Sequence, residues 1–252
     1  MRLKDLARIL IICCLFANTI GLIFITEWFQ KVFINWQHAI ASGVLFFGIE
    51  CFIFYLLLKP YLSEFALGKV FGWKRFLSAV LMGLVVWTLT QVWMYYKIGT
   101  NPQYPSPQKV TKYAIIFLLN SFPNALFEEF IFRFLPVHYA EKKGFTNQQL
   151  IGLGIIVTFI FSLSHVTSYL FRDHTDLSQL FSALVSVYFF GMVFLFVYLL
   201  TGNIYFTTLI HAFDNNKLLL INTVGTEQFY FYTVIFVSLL WFSAKEAKKM
   251  IS

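Results

Sequence analysis

The side chains best suited to chemistry in this sequence are ionisable groups set inside long apolar runs: Glu50, Glu128, Glu129, Arg133, His165, His211, Asp214 and Lys217. A charge in apolar surroundings is costly unless it has a partner or a task. In the run NSFPNALFEEFIFRFLP, Glu129 and Arg133 are four residues apart. On a helix they share a face and can pair, with the acid N-terminal to the base in the favourable order. Glu128 is rotated about 100° off that line. One carboxylate is then neutralised within its own helix while the other is presented to a cavity, where it suits the work of a general base. The competing reading is a helix end whose Glu-Glu-Arg group reaches lipid headgroups.

Two further runs carry imidazoles. His165 lies four residues after Phe161 in IIVTFIFSLSHV, and His211 lies four before Asn215 in IYFTTLIHAFDNNKLLLI. The chain turns between the first two runs near residues 141–147, and Glu128 and His165 are symmetric about residue 146 or 147. In an antiparallel helical hairpin, equal distance from the turn is equal depth, so these two side chains can meet. His211 and Asn215 share a helical face. The plainer alternative for them is interhelical hydrogen bonding. Asp214 and Lys217, three apart, can pair with each other.

The elements that must position these residues follow from composition. The chain has 252 residues, of which 59% are hydrophobic and 12% charged, with a mean hydropathy of +0.72. Soluble domains are about a quarter charged, so an ordinary globule is excluded. Spanning a hydrocarbon core takes about 20 apolar residues per helix. Apolar windows fall at residues 7–26, 38–58, 76–96, 113–135, 150–170, 180–200, 204–224 and 225–244. The runs are continuously apolar rather than alternating, which selects helices over a barrel. The fold expected is an all-α polytopic membrane protein of about eight transmembrane helices, a single domain over 1–252. The N-terminal run MRLKDLARILIICCLFANTIGLIF is read as a retained first helix, not a cleaved signal. For the hairpin to bring His165 level with Glu128, the fifth helix must start near Asn147 and run past His165.

The net charge is +7. In a soluble protein that would suggest nucleic acid; here cationic loops on the cytoplasmic side are the better reading. With both termini inside, Arg2, Lys4, Arg8, Lys59, Lys69, Lys74, Arg75, Lys142, Lys143, Lys245, Lys248 and Lys249 lie inward. Only Lys31, Lys97, Lys109, Lys112 and Arg172 lie outward.

In order and spacing, Glu128-Glu129-Phe130-Ile131-Phe132-Arg133, Phe161 through His165 and His211 through Asn215 resemble the three motifs of the CPBP (CAAX prenyl protease and bacteriocin-processing, or Abi) family of intramembrane proteases. The resemblance covers about residues 113–224. It implies that Glu128 activates the hydrolytic water and His165 holds and polarises it. His211 and Asn215 would steady the developing oxyanion, Glu129 and Arg133 would be structural, and Phe161 would pack beside the site. Two chemistries stay open. One is metal-free, with Glu128 as base and an oxyanion hole from His211 and Asn215. The other places Zn²⁺ on Glu128, His165 and His211 with one open position. The His-Glu-x-x-His helix, the strongest sequence signal for zinc, is absent. The implied substrate is a peptide or membrane protein, processed as a CAAX protein, as a leader or signal peptide, or in bacteriocin self-immunity. The compact, Phe-rich chain fits a bacterial cell-membrane protein in contact with lipid and not nucleic acid. The alternative is a non-catalytic immunity or binding protein, against which stands the presence of every motif residue.

Overall fold

The computed structural model describes residues 1–23, 36–65, 67–98, 106–216 and 226–251. Lys31, Lys217, the end of the first apolar window, residues 217–224 of the seventh and residues 99–105 of the loop at 97–112 lie outside them. All regular structure among the described residues is helical. The long elements are α1 (Leu3–Ile23), α2 (Trp36–Leu58), α3 (Trp73–Ile98), α4 (Pro107–Lys142), α5 (Asn147–Phe171), α6 (Leu177–Thr201), α7 (Ile204–Asn215) and α8 (Thr226–Ile251). Four of them, α3 to α6, are long and apolar enough to cross a membrane. The described part of α7 has 12 residues, which at about 1.5 Å per residue does not reach across a hydrocarbon core of about 30 Å.

The surface is that of a protein whose solvent is lipid. Large apolar side chains such as Val92, Leu118, Ile156, Phe159 and Phe189 are more than half exposed along the helices. Hydroxyls and charges, among them Thr90, Thr158, Ser162, Thr201, Ser238, Glu129 and Arg133, are buried. Between apolar helices in lipid, such buried polar groups act as interhelical glue.

The chain gathers into two compact units, Met1–Phe65 with Phe127–Leu195, and Ala66–Leu126 with Phe196–Ser252. Helix α4 contributes to both. It is interrupted by two wider π turns, Phe117–Ser121 and Phe130–Phe134, where Phe122 N–H reaches back to Phe117 O and Leu135 N–H to Phe130 O. Each interruption has a proline two residues beyond it, Pro123 and Pro136. A proline removes one helical hydrogen bond and crowds the carbonyl four residues earlier. Those carbonyls, of Leu119 and Phe132, fall inside the two π turns.

In the first unit α4 and α5 form the expected hairpin. Helix α5 starts at Asn147, where Thr146 and Gln149 close a reciprocal capping box. In the second unit α7 is held at its start. Asn203 accepts from Tyr205 N–H and Phe206 N–H, and donates to Arg75 O at 2.9 Å. Gly202 supplies the positive φ of 62° that this tight entry needs, and its carbonyl accepts from Arg75. Replacing Asn203 by Ala removes the cap and the tie to α3 together. The expected cost is about 1–2 kcal/mol, read as a lowered melting temperature in detergent, with Asn203→Asp intermediate because it keeps the cap.

Candidate active site

A fully hidden guanidinium lies at the heart of the first unit. Arg133 and Glu129 are both 0% exposed, with Arg133 Nε 3.6 Å from Glu129 Oε2. Arg133 Nη2 donates to the carbonyl of Gly191 on α6 at 3.3 Å. The cation sits 4.3 Å from the centre of the Phe161 ring on α5. One residue thereby binds three helices through a carboxylate, a backbone carbonyl and an aromatic face. Such burial rules out the reading in which this pair reaches headgroups. The i,i+4 spacing does bring Glu129 and Arg133 together, but at a separation longer than a hydrogen bond. The π turn that begins right after Glu129 changes the angle between them.

Gly191 was not singled out by sequence. A methyl group at that position would stand 2.7 Å from Thr158 Cγ2 and 3.1 Å from Arg133 Nη2. Only glycine lets the α6 backbone come close enough to offer its carbonyl. The available signal was a lone glycine in the otherwise apolar stretch of α6.

Phe161 passes this order on to His165. Its ring meets Phe132 of α4 at 5.2 Å and the His165 imidazole at 4.8 Å. Phe132 and Phe161 are symmetric about the same point of the turn as Glu128 and His165, so their contact supports equal depth for the second pair. His165 Nδ1 lies 2.9 Å from Phe161 O. A carbonyl only accepts, so Nδ1 carries the proton and the lone pair lies on Nε2. Ser164 Oγ donates to the same carbonyl at 2.7 Å and flanks Nδ1 at 3.2 Å.

Glu128 is half-buried, with Oε2 hidden from the outside. Its neighbour Phe127 packs against Phe47 and Phe54 of α2 at 6.4 and 4.7 Å. Glu50 lies between those two rings in sequence, and its charge interacts with that of Glu128. The residue that had no sequence-based role thus belongs to the surroundings of the candidate base.

The second unit holds the remaining candidates. His211 is 4% exposed, whereas Asn215, four residues on, is exposed at the last position of α7. Asp214 is half-buried, and its expected partner Lys217 lies outside the described residues. The end of α7 is tied to the first half of α4: Phe213 stacks on Phe117 at 4.9 Å and Asn216 donates to Tyr113 O at 3.2 Å. Tyr230 of α8 donates to Ile210 O at 2.6 Å, one residue before His211. The structure therefore gathers Glu128, Glu129, Arg133, Phe161 and His165 in one hairpin, and sets His211 and Asn215 on one short helix. Within either unit, no three His, Cys, Asp or Glu side chains among the described residues gather to hold a metal ion.

Glu129→Ala would leave the Arg133 guanidinium buried beside no carboxylate, and the expected loss is about 3–5 kcal/mol. Thermal unfolding in detergent measures it; an unchanged melting temperature would mean that the pair holds nothing. Gly191→Ala is expected to destabilise in the same assay, because Thr158, Arg133 and Phe161 must all give way.

Comparison with known proteins bears on the same stretch of chain. Residues 110–216 match the family model of the type II CAAX prenyl endopeptidase Rce1-like proteins. No curated protein and no solved structure matches the chain. The matched residues begin near the start of α4 and end just past α7, so all three motifs fall within them. Over residues 110–216, the chain is similar to the type II CAAX prenyl endopeptidase Rce1-like proteins.

Proposed function

We propose that this protein is an intramembrane endopeptidase that hydrolyses a peptide bond of a membrane-associated protein or peptide, with CAAX-type processing as the first substrate class to test. The observation that carries the reading is the Glu129–Arg133–Phe161–His165 assembly, which neutralises one carboxylate and holds an imidazole on the helix packed against the one that carries the adjacent carboxylate, Glu128. The family match covers those same residues.

In this reading Glu128 takes the proton of the attacking water. His165 holds that water through Nε2, since its Nδ1 proton is committed to the Phe161 carbonyl. Water attacks the scissile carbonyl, and His211 with Asn215 donates to the oxygen as it becomes negative. The proton on Glu128 then passes to the leaving amine. Zn²⁺ on Glu128, His165 and His211 is the other form of the reading. Bound there, the metal would supply a hydroxide near neutral pH.

The finer membrane picture belongs to the same proposal. The eight apolar windows lie in the bilayer of a bacterial cell, both termini face the cytoplasm, and the water-filled site opens on that side. Leader-peptide processing and bacteriocin self-immunity are further substrate settings for the same hydrolysis.

Glu128→Gln keeps the shape of the side chain but cannot accept the proton. It is expected to abolish cleavage of a prenylated CAAX peptide by purified protein while leaving membrane insertion and melting temperature intact. His165→Ala should be equally inactive. Normal turnover by Glu128→Gln would sink the assignment. Running the wild-type assay with and without a chelator separates the two forms: loss of activity restored by Zn²⁺ selects the metal, and unchanged activity selects the glutamate base alone.

A further inference from the structure

Helix α5 does not run smoothly through His165. The regular helix stops at Leu163, Ser164 and His165 form a turn, and the chain then winds into a π turn at Ser168–Arg172. His165 N–H bonds tightly to Ser162 O at 3.1 Å, and the Phe161 carbonyl it would otherwise use is taken by its own ring and by Ser164 Oγ. In a regular helix the next rung but one would join Thr167 N–H to Leu163 C=O. The side-chain amide of Asn18, from α1, occupies the place of that rung.

Asn18 Oδ1 accepts from Thr167 N–H at 3.1 Å, and Asn18 Nδ2 donates to Leu163 O at 3.0 Å. Nδ2 also donates to Cys14 O at 2.9 Å, and Thr167 Oγ1 lies 3.2 Å from Oδ1 and 2.9 Å from Asn18 O. The amide thereby uses both donors and accepts from the Thr167 N–H, while the single Thr167 hydroxyl proton is shared between Oδ1 and the nearer Asn18 O. Its orientation is determined by its neighbours, since a carbonyl can only accept and an N–H can only donate. A side chain inserted into the i→i−4 ladder is a known cause of a helix break. In lipid it also satisfies backbone groups that have no water to turn to. The break that Asn18 props open spans Leu163 to Thr167, and His165 is at its centre.

We infer that Asn18 is a positioning residue for His165: by replacing the Leu163–Thr167 rung of α5 it holds open the turn that folds the imidazole back onto the Phe161 carbonyl and presents Nε2. The inference rests on the proposed hydrolytic role of His165. Without the amide, the helix is free to close the missing rung, and closing it rotates His165 away. A misplacement of about 1 Å in a catalytic group can cost on the order of a hundredfold in rate. Thr167→Val removes only the hydroxyl contact and leaves the N–H rung to Asn18 in place.

The test compares purified wild type, Asn18→Ala, Asn18→Asp, Thr167→Val and His165→Ala for cleavage of a prenylated CAAX peptide, with kcat and KM resolved and melting temperatures recorded in detergent. For Asn18→Ala, kcat is expected to fall about tenfold to a hundredfold with KM within about twofold, the split that a displaced catalytic group produces. Asn18→Asp keeps the acceptor for Thr167 N–H and loses the donor to Leu163 O, so it should fall between wild type and Asn18→Ala. Thr167→Val should stay closest to wild type. If Asn18→Ala does not fold, Asn18→Asp decides: a reduced kcat supports the role and a wild-type kcat overturns it. A folded Asn18→Ala with wild-type kcat, or with a lowered melting temperature and a changed KM alone, overturns it too. An active His165→Ala would instead overturn the hydrolytic reading on which the inference stands.

Discussion

A guanidinium that reaches neither water nor headgroup is the constraint around which the first unit is built. Arg133 cannot shed its charge and cannot reach the surface, so the fold must bring polar groups to it. Glu129 comes from its own helix, the Gly191 carbonyl from α6 and the Phe161 face from α5. Each contact costs its helix some freedom. Helix α6 must carry a glycine there, and α5 must stand in register with α4 about the turn at Lys142–Asn147. The result is a hairpin with little latitude to slide, and slippage by a residue would separate Glu128 from His165 in depth.

The same hairpin shows how membrane-buried backbone is put to use. Two prolines on α4 open π turns, and one of those turns carries Arg133. A polar amide from α1 occupies the break in α5 at His165. In water such defects are readily solvated. In lipid every released N–H or C=O needs a protein partner, so an irregular turn at a chemical residue has to be matched elsewhere in the sequence. That requirement couples α1, which carries no family motif, to the motif on α5.

Much of this site was legible in the residues. The Glu129–Arg133 pair followed from i,i+4 spacing, and the start of α5 at Asn147 from hairpin symmetry. These are local or nearly local relations. What spacing could not give was tertiary. Asn18 carries no local signal, because its partners are Leu163 and Thr167. Gly191 had no visible task until Arg133 was seen against it. The π turns sit in apolar stretches that have helical periodicity, and Pro123 and Pro136 act on them from two residues beyond. The eight windows counted apolar length; among the described residues four helices, α3 to α6, combine the length and the apolarity to cross, and the described α7 ends at Asn215. Hydropathy reports a preference for lipid and not where a helix stops.

The account depends most on one convergence: Glu128 and His165 from the hairpin with His211 from α7. An experimental structure of the full chain in lipid, with a non-hydrolysable prenylated CAAX peptide bound, measures it directly. The expected result places Glu128, His165 and His211 around the scissile carbonyl, each within hydrogen-bond reach of ~2.6–3.2 Å or one water away. His211 turned to lipid, or Glu128 and His165 further apart than about two hydrogen-bond lengths with the peptide in place, would contradict it.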